Sequence, residues 1–158
     1  MTKLDSRPFH HSHPHLHMKT IVASSLGLAL LCPLAHAAEV TDALVEKTLG
    51  VSGVKHTTRT QTKYGMTFSD VEYKDQKGQG LVVLRLGTAE QYGMWKQTAG
   101  DDAAPVTGVG TDAFRYKTLK AVCAKSQAVA ACVTPDFLLK SPTITDAHLQ
   151  ALVRAALQ

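Results

Sequence analysis

Two cysteines, Cys123 and Cys132, have the spacing for covalent chemistry with one another. A hairpin turning at Gln127-Ala128 sets them opposite each other, and facing Cα atoms in an antiparallel pair lie about 4.5–5.5 Å apart, within disulfide reach. On the chain-entropy account the closed loop contributes roughly 2.5–3 kcal/mol. Buried free thiols and a redox pair are the alternatives, and the redox pair lacks the Cys-x-x-Cys spacing that lowers a thiol pKa. Other reactive types are sparse. Beyond residue 37 the only histidines are His56 and His148. Nucleophilic catalysis needs a Ser or Cys with a base and an orienting partner, and no Gly-x-Ser-x-Gly element occurs. A metal site joining the histidines to Met66, Met94 or an acid has no supporting spacing, so no metal is expected. Asp70, Glu72, Asp75 and the pair Asp101-Asp102 provide acid–base chemistry only where two carboxyls face each other across a cleft. Solvated turns are the simpler placement. Gly108-Val109-Gly110 has the glycines of a phosphate loop, but such loops open a helix at the anion. Here an extended run headed by Asp112 follows, so the glycines are expected to supply positive φ in a tight turn. No cofactor is implied.

Compartment follows from the first 37 residues. Met18-Lys19 opens an apolar run from Ile21 to Leu31, then Pro33 and Ala35-His36-Ala37. A charged start, a short apolar core and small residues at −3 and −1 make a secretory signal, with cleavage expected after Ala37. The core is shorter than the roughly 20 residues that span a bilayer, so no integral membrane span is expected. Residues 1–37 are thus read as an N-terminal extension plus cleaved signal, and 38–158 as one domain. Translation starting at Met18 would also drop the tract His10, His11, His13, His15 and His17, a composition that can bind metal. Cleavage removes Cys32 and leaves an even pair of cysteines, as an oxidising compartment favours. It also removes Lys3, Arg7, Lys19 and Asp5, lowering the formal net charge of +4. With no clustered Lys/Arg among aromatics, nucleic acid is not an expected partner. The chain contains no Asn and hence no N-glycosylation acceptor. Its alanine-rich, isoleucine-poor make-up suggests a bacterial periplasmic or secreted protein.

The elements that must position these residues alternate in type. A helix from Val40 to Gly50 has Thr41 as its cap, Val40 and Val45 as a hydrophobic staple and Gly50 as its stop. Lys55 to Lys63 is threonine-rich with little to bury, the pattern of a solvated edge strand. Met66 begins a second strand whose alternation changes phase near Asp70, as a β-bulge would produce. Leu81 to Leu86 is continuous and apolar, the pattern of a central strand covered on both faces. Thr88 and Gln91 form a capping box for a helix carrying Tyr92, Trp95 and Ala99 on one face. Asp101 to Ala104 is read as a loop. Pro105 to Val133 forms a turn and a three-strand meander, with strands at Asp112–Tyr116, Leu119–Cys123 and Val129–Val133. Pro135 and Pro142 bracket a crossing segment that contains Phe137-Leu138-Leu139. The last helix is capped by Thr145, with Ile144 and Leu149 as staple and Leu149, Leu152, Val153 and Ala156 as its apolar stripe. The expected fold is α+β: an antiparallel sheet of about six short strands carrying three helices, in the order helix-β-β-β-helix-β-β-β-helix.

The run from Pro105 to Phe114, followed by a hairpin and an alanine-rich C-terminal helix, resembles small exported bacterial domains of the sensor-like, uncharacterised lipoprotein type. The likeness covers the last third, and Cys32 follows Leu31 rather than the small residue lipidation favours. It implies an envelope-facing binding domain. The leading expectation is a non-enzymatic periplasmic or secreted binding protein acting as an inhibitor, immunity or envelope-interaction factor. Its surface would be Thr58, Thr60 and Thr62 of the edge strand with the Gly108 and Gly110 turn, and its partner another envelope or secreted protein. The alternative is a small-ligand or lipid carrier with a pocket lined by Met66, Phe68, Trp95 and Phe114. The third is a periplasmic hydrolase, which requires acids or histidines converging in a cleft.

Overall fold

The computed structural model describes residues 40–63, 65–138 and 143–158. The expected leader, Cys32, the histidine tract and the Leu139–Pro142 part of the crossing segment lie outside them. The described residues belong to one compact unit. In chain order they form α1 (Asp42–Leu49), β1 (Lys55–Lys63), β2 (Met66–Lys74), β3 (Gly80–Thr88), α2 (Ala89–Ala99), a 3-10 turn (Gly100–Asp102), β4 (Ala103–Pro105), β5 (Asp112–Tyr116), β6 (Val122–Lys125), β7 (Val129–Pro135) and α3 (Asp146–Ala156). The strands make one antiparallel sheet in the order β1-β2-β3-β7-β6-β5-β4. The architecture is α+β as expected, with seven strands against the expected six or so.

Local chemistry explains the helices. The Thr41 side chain accepts from the Leu44 N–H, and Gly50 ends α1 in the left-handed region at φ 67°. Both α2 and α3 open with reciprocal capping boxes, Thr88 with Gln91 and Thr145 with His148, which satisfy helix N–H groups that lack intrahelical partners. In α3 the stripe Leu149, Leu152, Val153 and Ala156 is buried throughout.

Alternation along the strands builds two apolar layers. One face of the sheet sends Val71, Tyr73, Val82, Leu84, Val122, Ala131 and Val133 against Val45 and Leu49 of α1 and the α3 stripe. The other face sends Phe114, Cys123, Ala130 and Cys132 against Tyr92 and Ala99 of α2. Helices therefore cover both faces. The central strand is β7, whose Val129–Val133 are all buried. Leu81–Leu86 lies beside it in third place, and its Val83 and Arg85 are only partly covered. Small residues mark β7 because helices close on it from both sides, and that is why apolar bulk alone pointed to the neighbouring strand.

Three further expectations are corrected. The register shift in β2 falls between Tyr73 and Lys74, not near Asp70; the change of phase at Asp70 instead reflects an ion pair on a strand face that α2 leaves open. Asp101 to Ala104 is not a loop: a 3-10 turn over Gly100–Asp102 leads into β4, which pairs Ala103–Pro105 with β5. The second meander strand starts at Val122 rather than Leu119, because residues 117–119 form the turn.

Candidate functional site

β1 is the first edge of the sheet, and all nine of its residues are exposed. Among the described residues no strand pairs with its outer side. The opposite edge, β4, is three residues long and ends in Pro105, which has no N–H to offer. Among the described residues only β1 thus presents an extended row of backbone donors and acceptors. Its side chains sort by the two-residue period. His56, Thr58, Thr60 and Thr62 share one face; Lys55, Thr57, Arg59, Gln61 and Lys63 share the other. Thr60 and Ser69 hydroxyls meet at 3.3 Å, and Thr62 and Thr67 at 3.0 Å, so these threonines tie β1 to β2. The second face carries three cations at intervals of four and no acid.

Arg59 stands opposite Asp70, whose charge is already engaged. Arg85 donates to Asp70 from Nε at 2.7 Å and from Nη2 at 2.9 Å, and Gln61 adds a bond of 3.2 Å. The hydrogen bond to Asp70 raises the Arg85 pKa above its ordinary value, against the opposing pull of burial. One face of its guanidinium lies 4.4 Å from the centre of the Phe68 ring. Arg85 in turn stands opposite Cys132, and Cys132 opposite Cys123, so a single row crosses five strands. The two sulfurs are bonded, with a Cα separation of 3.9 Å. The hairpin closes where expected, with the Ser126 N–H donating to the Val129 carbonyl.

Gly108 and Gly110 lie between β4 and β5, at the end of the sheet remote from β1, so they share no surface with Thr58, Thr60 and Thr62. Their turn buries Val109, and the Gly108 carbonyl accepts from Arg154 Nε of α3 at 2.9 Å. Gly110 has φ +61°, and a Cβ there would meet the Lys125 carbonyl oxygen at 2.2 Å. Met66, Phe68, Trp95 and Phe114 do not line one cavity. Met66 borders an open groove beside the start of α2, Phe68 lies under Arg85, and Phe114 is fully buried against Tyr92 and Tyr116. Trp95 alone of the four borders the concavity between α2 and the upper part of β3 and β7.

The remaining polar residues serve the fold. Asp75 accepts the N–H groups of Lys77 and Gln79 in the β2–β3 turn, and Asp102 accepts from the Thr118 N–H and hydroxyl. Glu72 pairs with Lys74 at 3.2 Å. The imidazole Nδ1 of His56 meets Asp42 Oδ1 at 2.7 Å, the orienting half of a catalytic triad. The serine on the same face, Ser69, is four residues along β2 from Tyr73, the partner of His56. At about 3.3 Å per residue that is roughly 13 Å, too far for a nucleophile–base hydrogen bond. Among the described residues no group of three His, Cys, Asp or Glu is placed to hold a metal ion. No helix of the described residues is long and apolar enough to cross a membrane.

The threonine content of β1 does not by itself reveal the cations beside the threonines. Lys55, Arg59 and Lys63 recur at a multiple of two, which puts them on one face of any strand, and that signal was available. Arg85 also announced itself as a lone charge inside Leu81–Leu86. Comparison with family models, curated proteins and solved structures finds no match to this chain.

Proposed function

We propose that the protein is a non-enzymatic binding protein that captures an acidic, extended segment of another protein along the outer edge of β1. The observation that carries this reading is the contrast between the two edges, one long, fully exposed and basic, the other short and closed by proline. Strand addition draws affinity from main-chain hydrogen bonds and specificity from alternate side chains. An exposed edge invites pairing indiscriminately unless charge selects the partner. Two copies pairing antiparallel about Arg59 would set Lys55 against Lys63 twice and Arg59 against itself, and like charges directly opposite are destabilising. A strand with acids at every fourth position instead meets a cation each time.

We place the protein in the periplasm or outside the cell, after cleavage of its leader near Ala37. The Cys123–Cys132 bond fits an oxidising compartment, which supports this. The resemblance of the last third to exported lipoprotein-type domains points the same way.

The test is a fluorescence anisotropy titration with a nine-residue Thr/Val peptide bearing Glu at positions 1, 5 and 9, beside the same peptide with Lys there. Opposite charges across a strand pair contribute roughly 0.2–1 kcal/mol each. The Glu peptide is therefore expected to bind at least about tenfold tighter than the Lys peptide, and Lys55→Glu with Arg59→Glu to reverse the order. Equal binding of both peptides overturns the reading.

A further inference from the structure

We infer that the concavity on the α2 side of the sheet is a separate binding site for a small, flat, uncharged molecule carrying a hydrogen-bond acceptor. Its origin is the path of α2. The helix begins at the lower end of β3, where Thr88 pairs with Val129, and leads to β4, where Ala103 pairs with Tyr116 at the upper end of β5. A diagonal crossing covers the lower half of β3 and β7 and leaves their upper half open. The space left is about 270 Å³, bordered by Val83, Arg85, Trp95, Tyr116, Leu119 and the disulfide sulfur residue Cys132 among others.

The walls specify the occupant. Trp95 supplies an aromatic surface, held because Gly87 leaves no side chain between it and β3; a Cβ at Gly87 would meet the indole at 2.9 Å. Leu119, 43% exposed, stands at the rim as one of the few large apolar side chains open to solvent. Arg85 has five N–H donors. Asp70 takes two of them, and three remain on a residue that borders the cavity. The Asp70 carboxylate also cancels the charge of Arg85, so the site offers hydrogen-bond donation without net attraction for an anion. The Tyr116 hydroxyl is committed as a donor to the Trp95 carbonyl at 3.0 Å, which fixes the far wall. A volume of this size suits a ring compound of about ten non-hydrogen atoms and excludes a folded segment of chain. The site shares its face of the sheet with Arg59 but lies two strands in from β1, and no β1 residue borders it, so a molecule seated there leaves the outer edge of β1 open for strand capture.

Trp95 is the only tryptophan in the chain, so its indole N–H gives one signal that reports the cavity. The probe is benzamide, with the anion benzoate and the apolar ethylbenzene as ring compounds of similar size, titrated into the full exported protein while the Trp95 and Arg85 side-chain N–H signals are followed. Benzamide should shift both signals saturably, with a Kd of the order of 1 mM. Benzoate and ethylbenzene should each bind about fivefold or more weaker. Leu119→Glu, at an exposed rim position that leaves the core intact, should weaken benzamide several-fold. The paired replacement Arg85→Met with Asp70→Leu, which leaves no buried charge, should bring benzamide down to the affinity of ethylbenzene. Absence of a saturable shift at Trp95, benzoate binding as tightly as benzamide, or ethylbenzene matching it in the unaltered protein would each overturn the inference.

Discussion

Arg85 and Asp70 face each other across β3 and β2 and are joined by two parallel hydrogen bonds, with Asp70 the more enclosed partner: its side chain is 13% exposed against 42% for Arg85. The asymmetry predicts the energetics. Arg85→Met strands a carboxylate that solvent barely reaches, whereas Asp70→Asn leaves a guanidinium half in water. Losing the arginine should cost about 2–3 kcal/mol in urea unfolding, and losing the aspartate charge about 1 kcal/mol. Equal losses would show that the pair is solvated as a surface bridge.

Replacing Cys123 and Cys132 together by alanine opens the β6–β7 hairpin without leaving a lone thiol. The expected loss is roughly 2.5–3 kcal/mol, or a fall in Tm of roughly 8–15 °C, and reduction of the native protein should reproduce it. A fall under about 3 °C would mean that the sheet alone holds the hairpin.

The turn glycines separate two causes of strain. Gly108→Ala meets open space but keeps a positive φ of 74°, so its cost should be about 1 kcal/mol. Gly110→Ala adds to the same strain a collision with the Lys125 carbonyl and should cost about 2–3 kcal/mol. Equal costs would deny that the close approach matters.

Stability should depend on pH at both extremes. The hydrogen bond from Lys96 holds the Asp112 carboxyl below its ordinary value, with burial opposing. A depressed carboxyl contributes stability above the unfolded pKa and loses it as pH falls through the folded one, so this contribution fades below about pH 4. Both groups are over a third exposed, so the effect is small and vanishes in Asp112→Asn. At the alkaline end, burial first and the Asp112 charge second push the Tyr92 phenol up; its hydroxyl is buried without a hydrogen bond of ordinary geometry. Burial and then Asp102 raise Tyr116 as well, with Arg85 opposing. Raised phenols contribute stability below pH 10 and lose it as pH rises through their folded values. Absorbance titration should show these two ionising later than a free tyrosine, and Tyr92→Phe should move alkaline unfolding upward.

The helices and the disulfide hairpin were legible in the sequence because each is encoded locally. Thr41 with Gly50, Thr88 with Gln91, and Thr145 with the Leu149–Ala156 stripe need no distant partner to be recognised. The site was less so. That Gly108 and Gly110 lie at the far end of the sheet from Thr58 depends on strand order, which pairs β3 with β7 across 40 intervening residues. Burial of Phe114 and the half-open placement of Trp95 likewise follow from the diagonal path of α2, and nothing within Ala89–Ala99 encodes that angle.

The most direct test of strand capture is amide hydrogen exchange along β1 with the Glu-bearing peptide present. The outward-facing amides of Lys55–Lys63 should exchange freely in the isolated protein and become protected when the peptide is bound, in an alternating pattern, with no comparable change in β4. Protection confined to other elements, or binding that leaves every β1 amide as fast as before, would contradict the account.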